Sequence, residues 1–314
     1  MTGGPAGVLN PTPPRKTRAA AFSIASNATL IALKVVAGAI TGSIAIITEA
    51  VHSLIDLVAS VIAFISVRKA DEPADAEHPY GHEKVENLAA NFEGILILIG
   101  AGIIVYEATH RLAVGSEVES LGIGIAVMAF SMFANPGVSG MLSRTARRTD
   151  SPALEGDAAH LRTDALTSGG VLIGLALVEI TGAVAFDSIT ALVVAVAIVW
   201  SGIRIIRRSS GVLVDEALPE PEMDRVEAAI AAARTPEVAG YHKLRGRRAG
   251  SRRWVDLHVQ FRSGTSLERA HEVAHRMRDE IEAGVPGAEV LIHVEPETSL
   301  REPKDGDGGP FRSG

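Results

Sequence analysis

The chain has no cysteine among its 314 residues. Disulfides and thiolate ligands are therefore excluded, and redox chemistry leaves the compartment unmarked. Basic charge is also scarce, since 30 Lys and Arg against 37 Asp and Glu leave a formal charge of −7. A nucleic-acid partner, which selects a basic footprint, is not expected. No G-x-x-x-x-G-K-[ST] run occurs, so an ATP motor of that kind would lack its phosphate cradle. Residues 1–14 are rich in Gly and Pro without an apolar h-region, and 1–17 read as a disordered tail, not a secretion signal. Any bound metal must be held by His, Asp and Glu. Those ligands suit zinc and, less selectively, iron, cobalt, nickel, manganese or cadmium.

Apolar sequence is present in quantity. Mean hydropathy is +0.23 with 47% apolar residues, yet 21% of residues are charged, a mixture expected of a membrane part joined to a soluble part. Apolar stretches run at about 19–40, 43–67, 88–109, 121–141, 161–180 and 184–206. Each approaches the roughly 20 residues needed to cross the hydrocarbon layer, which predicts six transmembrane helices over 18–210. Arg15, Lys16 and Arg18 precede the first; Arg68, Lys69 and Lys84 lie in the second connection; Arg144, Arg147 and Arg148 lie in the fourth; Arg204, Arg207 and Arg208 close the sixth. The intervening connections carry only Arg111, so the positive-inside rule places both termini in the cytoplasm.

From residue 211 the composition becomes that of a soluble domain reaching 298. Residues 222–233 have helical periodicity, 254–261 (WVDLHVQF) alternate as a strand, 267–281 read as an amphipathic helix and 289–294 as a last strand. With 241–247 as a weaker first strand, the order is αββαβ, a small α+β domain. Residues 299–314 are Gly- and Asp-rich and predicted to be disordered.

The chemistry sits in interruptions of the apolar runs. His52 and Asp56 lie in one run and His160 and Asp164 at the mouth of another, both in H-x-x-x-D spacing. Residues four apart share a helix face, so two such helices facing each other would supply two nitrogens and two oxygens, a full tetrahedral shell for a divalent metal. A lone histidine in an apolar helix is usually just packed; four ionisable groups in two spans are functional by default. A second group, Asp75, His78 and His82, lies between the second and third spans, where Pro79 and Gly81 can fold the loop tightly. Otherwise it is a plain polar loop. A third group, His242, His258, His271 and His293 with Glu295, is spread over the soluble domain, where scattered histidines are more often solvated. His110 and His275 read as structural.

In chain order the motifs are EAVHSLID (49–56), HPYGHEKVE (78–86), HLRTD (160–164), VDEALP (214–219) and then GYHKLR, VDLHVQF and LIHVEP. Together they resemble the cation diffusion facilitators, proton-coupled exporters of divalent metals, over roughly residues 18–297. The resemblance implies a homodimer of six-helix protomers in the cell (inner) membrane, each with a metallochaperone-like cytoplasmic αββαβ domain. It implies that His52, Asp56, His160 and Asp164 form the transport site and that Asp75, His78 and His82 form a loop site. His242, His258, His271, His293 and Glu295 would form a cytoplasmic zinc cluster at the dimer interface, with Lys84 and Asp215 as an interlocking salt bridge. Two departures stand out. His52 occupies a position where many iron/zinc-type members have Asp, and Glu295 one where close relatives carry Asp.

The expected activity is zinc efflux by metal/proton antiport with alternating access. Exporting a dication costs about 2.3 kcal/mol per charge per 100 mV. Ligands that bind metal only when deprotonated can couple it to protons. Gly38, Gly42, Gly169, Gly170 and Gly174 would permit helix sliding or serve plain close packing. The rival readings are a membrane-anchored metal sensor or storage protein, which needs no polar quartet in the bilayer, and an intramembrane metalloenzyme. Four converging ligands leave no open catalytic position, so no enzyme is expected.

Overall fold

The computed structural model describes residues 13–41, 44–114, 122–183 and 185–297. The chain divides into two compact units, Met1–Ser210 and Gly211–Gly314. The first contains six long helices: α1 (Pro13–Thr41), α2 (Ile44–Ala70), α3 (Lys84–Val114), α4 (Gly122–Thr149), α5 (Pro152–Thr181) and α6 (Ala185–Leu213), the last running on into the second unit. Lengths of 27 to 31 residues correspond to about 40–46 Å, more than the roughly 30 Å hydrocarbon layer.

The helices outrun the apolar stretches because their polar ends stay helical. α4 continues through Arg144, Arg147 and Arg148, which lie near its carbonyl end and complement the helix dipole. α5 begins at Pro152, with Ser151 as N-cap accepting from the Leu154 N–H, and closes on Gly182 in the left-handed region at φ 71°. His160, at the mouth of the apolar run, therefore sits in the third turn of α5. Among the described residues, Lys84–Ala113, Pro152–Val178 and Ser188–Leu213 are long and apolar enough to cross a membrane.

Large apolar side chains such as Ile65, Ile103, Phe133, Ile173, Val196 and Trp200 are exposed, while the interior is lined by Ala20, Ala63, Ala101, Ala158 and buried serines. This is the inverse of a soluble bundle. Lipid accepts the exterior, and small residues let backbones approach. A Cβ on Gly170 would lie 2.6 Å from Val194 on α6, whereas one on Gly169 would meet Met132 at an ordinary 3.6 Å. Gly42 lies outside the described residues. Near the start of the helices Lys16 bridges Glu86 at 3.0 Å and Asp71 at 3.4 Å, and the Ser151 hydroxyl donates to Glu86, joining α1, α3 and α5.

The second unit adds α7 (Glu220–Ala233), β1 (Val238–Ala249), β2 (Arg252–Phe261), α8 (Leu267–Gly284) and β3 (Ala288–Pro296). The sheet order is β1-β2-β3, with β1 antiparallel and β3 parallel to β2. The parallel pair requires a crossover, which α8 provides. Val226, Ile230, Val255, Leu257, Val259, Val273, Met277 and Ile281 form the core between helices and sheet.

Candidate metal centres

The loop between α2 and α3 folds around Asp75. Its Oδ1 accepts the backbone N–H of His78 at 2.6 Å and that of Glu77 at 3.0 Å. His78 Nδ1 lies 3.3 Å from the same oxygen, and His82 Nε2 lies 3.2 Å from Oδ2. The turn is built by Pro79-Tyr80-Gly81, with the Gly81 N–H returning to the His78 carbonyl at 3.0 Å. Gly81 has φ 92°, and a Cβ there would lie 2.3 Å from Glu83 Oε2, so this corner needs glycine. The backbone N–H of His78, ahead of every other contact, holds the Asp75 carboxyl below its ordinary range. His82 is buried and neither ring nitrogen has a hydrogen-bond partner among the described residues, Nε2 standing beside Asp75 Oδ2 without a hydrogen bond to it. Such an orphaned nitrogen beside a carboxylate and a second imidazole fits a divalent cation.

In the α+β unit the strand register assembles a polar row. His242 pairs with His258 across β1 and β2, and His258 with His293 across β2 and β3. Two residues along β3, Glu295 falls on the same face by strand alternation. Its Oε2 lies 2.9 Å from His242 Nε2 and its Oε1 2.6 Å from His258 Nδ1, while His293 Nε2 is 3.6 Å from Oε1. Burial pushes the Glu295 carboxyl up, and the hydrogen bonds to His242 and His258 outweigh it, leaving it below its usual range. Nitrogens and oxygen of His242, His258 and Glu295 converge closely enough to hold a metal, as do those of Asp75, His78 and His82.

His271 is not brought into this row. It is exposed on α8, where its ring centroid lies 4.1 Å from that of His275; the apolar face of α8 is buried against the sheet and the His271 face points away. That pairing was legible as H-x-x-x-H on a helix.

In the helical unit His160 is buried and Asp164 half-buried, one turn apart on α5. His52 and Asp56 lie on α2 in the same spacing, but their side chains lie outside the described residues. α2 and α5 are nonetheless joined beside these pairs, because the Ser60 hydroxyl donates to Asp157 Oδ1 at 2.9 Å and accepts from Asn27 Nδ2 at 2.8 Å. None of the three figures in the motif reading, since each takes meaning only from its partner on another helix. Lys84 opens α3. Asp215, at a positive φ of 61°, pairs within the chain with Arg247 at 3.1 Å.

Profiles of the cation efflux transmembrane domain and of the cation efflux protein cytoplasmic domain match residues 20–214 and 218–297. The chain belongs to the cation diffusion facilitator family. The cation-efflux pump FieF of Yersinia pestis (strain Pestoides F) is 33% identical over 92% of this chain and 95% of its own. An uncharacterized transporter of Synechocystis sp. is 32% identical over 91% of each chain. Among solved structures, the metal-bound C-terminal domain of the CzcD transporter from Thermotoga maritima is 29% identical, covering 27% of this chain and 100% of that one at a TM-score of 0.24. As a cation diffusion facilitator the chain is an integral membrane cation-efflux transporter and not an enzyme. Its helical transmembrane domain is followed by a small cytoplasmic α+β domain.

Proposed function

We propose that the protein exports a divalent cation, zinc foremost, from the cytoplasm in exchange for protons, as a homodimer with both termini inside. The observation that carries this reading is the pair His160 and Asp164, one turn apart on α5, with α2 bonded alongside through Ser60. An imidazole and a carboxylate from each of α2 and α5 would make the four-ligand transport shell, with His52 and Asp56 completing it. Metal entering from the cytoplasm displaces protons from these groups, and protons entering from outside displace the metal. The potential alone opposes export, so the proton gradient supplies the drive. The loop group and the row His242, His258, Glu295 and His293 hold resident zinc, and Lys84 and Asp215 lock the protomers at their contact.

The test is zinc flux into proteoliposomes under an imposed pH gradient, repeated with cadmium, iron(II) and manganese(II). Asp164→Ala should abolish flux while the protein stays folded and dimeric. Undiminished flux in that variant, or wild-type flux indifferent to the pH gradient, would refute the assignment.

A further inference from the structure

Glu93 on α3 and Asp157 on α5 are buried acidic side chains of the helical unit that neither the loop group nor the proposed transport shell uses. Glu93 is 0% exposed, and neither carboxylate oxygen has a hydrogen-bond partner among the described residues. A carboxylate stripped of water without a partner is expensive, and such groups inside membrane bundles mark ion pathways. The backbone makes room for this one. A Cβ on Gly156 would lie 2.2 Å from Glu93 Oε2, so the glycine leaves a cradle on α5 that the carboxylate fills. The next residue, Asp157, is 1% exposed and is held by Ser60 at 2.9 Å. Residues three and four apart share a helix face, so Gly156 and Asp157 align with His160, and Asp164 follows one turn on.

We propose that Glu93 and Asp157 form a way site for the exported divalent cation, on the approach to His160 and Asp164; this rests on the export reading above. Two carboxylates carry the charge that neutralises a dication, and so do Asp56 and Asp164 in the proposed transport shell. The cation would thus step one to two helical turns along α5, roughly 5–10 Å, between two charge-balanced positions without crossing a dry interior uncompensated. Oxygen ligands without imidazole suit a weak, passing contact rather than a zinc trap.

The experiment is zinc flux against zinc concentration at two pH values, using the full-length protein in proteoliposomes. Glu93→Gln keeps the volume and removes the charge; it should raise the zinc concentration for half-maximal flux about tenfold and leave the maximal rate standing. Gly156→Ala alters no charge but drives a Cβ into the space of the Glu93 carboxylate, whose flexible end can swing away, and it should reproduce that rise. Glu93→Asp should recover part of it. Asp157→Asn, which can still accept from Ser60, serves if Glu93→Gln does not fold. Unchanged half-saturation in Glu93→Gln and Gly156→Ala overturns the proposal. So does a variant that alters only the pH dependence, since Glu93 would then carry protons and not metal. A wild-type protein that moves no zinc overturns the export reading as well, whereas wild-type flux with an indifferent Glu93→Gln overturns the way site alone.

Discussion

Glu295→Ala isolates the metal chemistry of the α+β unit from that of the helices. The carboxylate receives His242 at 2.9 Å and His258 at 2.6 Å. Two part-buried hydrogen bonds at a net of about 0.5–1.5 kcal/mol each place the metal-free loss of stability at about 1–3 kcal/mol. With zinc the contrast widens. A ligand at 100 times its Kd stabilises the folded state by about 2.7 kcal/mol. If losing the carboxylate weakens binding about a hundredfold, the same zinc concentration equals the new Kd, and the increment shrinks to about 0.4 kcal/mol. The assay is denaturant unfolding of the full-length protein followed through Trp254 on β2, with zinc and with chelator. His82→Ala, altering only the loop group, should leave intact the increment read at Trp254 in the α+β unit. A full zinc increment in Glu295→Ala would refute the carboxylate as a ligand, and an unchanged metal-free stability would refute the hydrogen-bond arithmetic.

Three further outcomes are expected. His52→Asp should raise the ratio of cadmium to zinc flux without inactivating the protein, because a second imidazole favours compact tetrahedral zinc and a carboxylate does not; an unchanged ratio counts against His52 as a selectivity determinant. Acid stability should depend on Glu237, whose carboxyl is held down to about 2 by the neighbouring Thr235 hydroxyl, its own N–H and Arg269. A depressed carboxyl stabilises above the ordinary value of 4.5, and that share is lost as pH falls toward 2, so Glu237→Gln should flatten the loss between those values in an acid titration of unfolding. Met277 is 0% exposed in the core of the α+β unit, and Met277→Ala should cost about 2–5 kcal/mol in denaturant unfolding; a loss under about 1 kcal/mol would mean that the core closes over the gap.

What could be read directly from the residues was whatever repeats locally. Six apolar runs, the alternation of WVDLHVQF and the amphipathic pattern of 267–281 each report which face of one segment is buried, and they led to a helical membrane part followed by αββαβ. The H-x-x-x-D spacings and the compact HPYGH turn are likewise short-range, because residues within one helical turn or one β-turn are neighbours whatever the rest of the chain does. Tertiary structure decided everything that depends on register between segments. It aligned His242, His258 and His293 across three strands and brought Glu295 onto their face. It turned His271 toward His275 instead, since packing the apolar stripe of α8 on the sheet leaves its histidine face outside. It also carried α5 back to Pro152, seated Glu93 on Gly156 and tied Ser60 to Asp157. Such contacts join residues tens of positions apart, and the small side chains that permit them leave no periodic mark of their own.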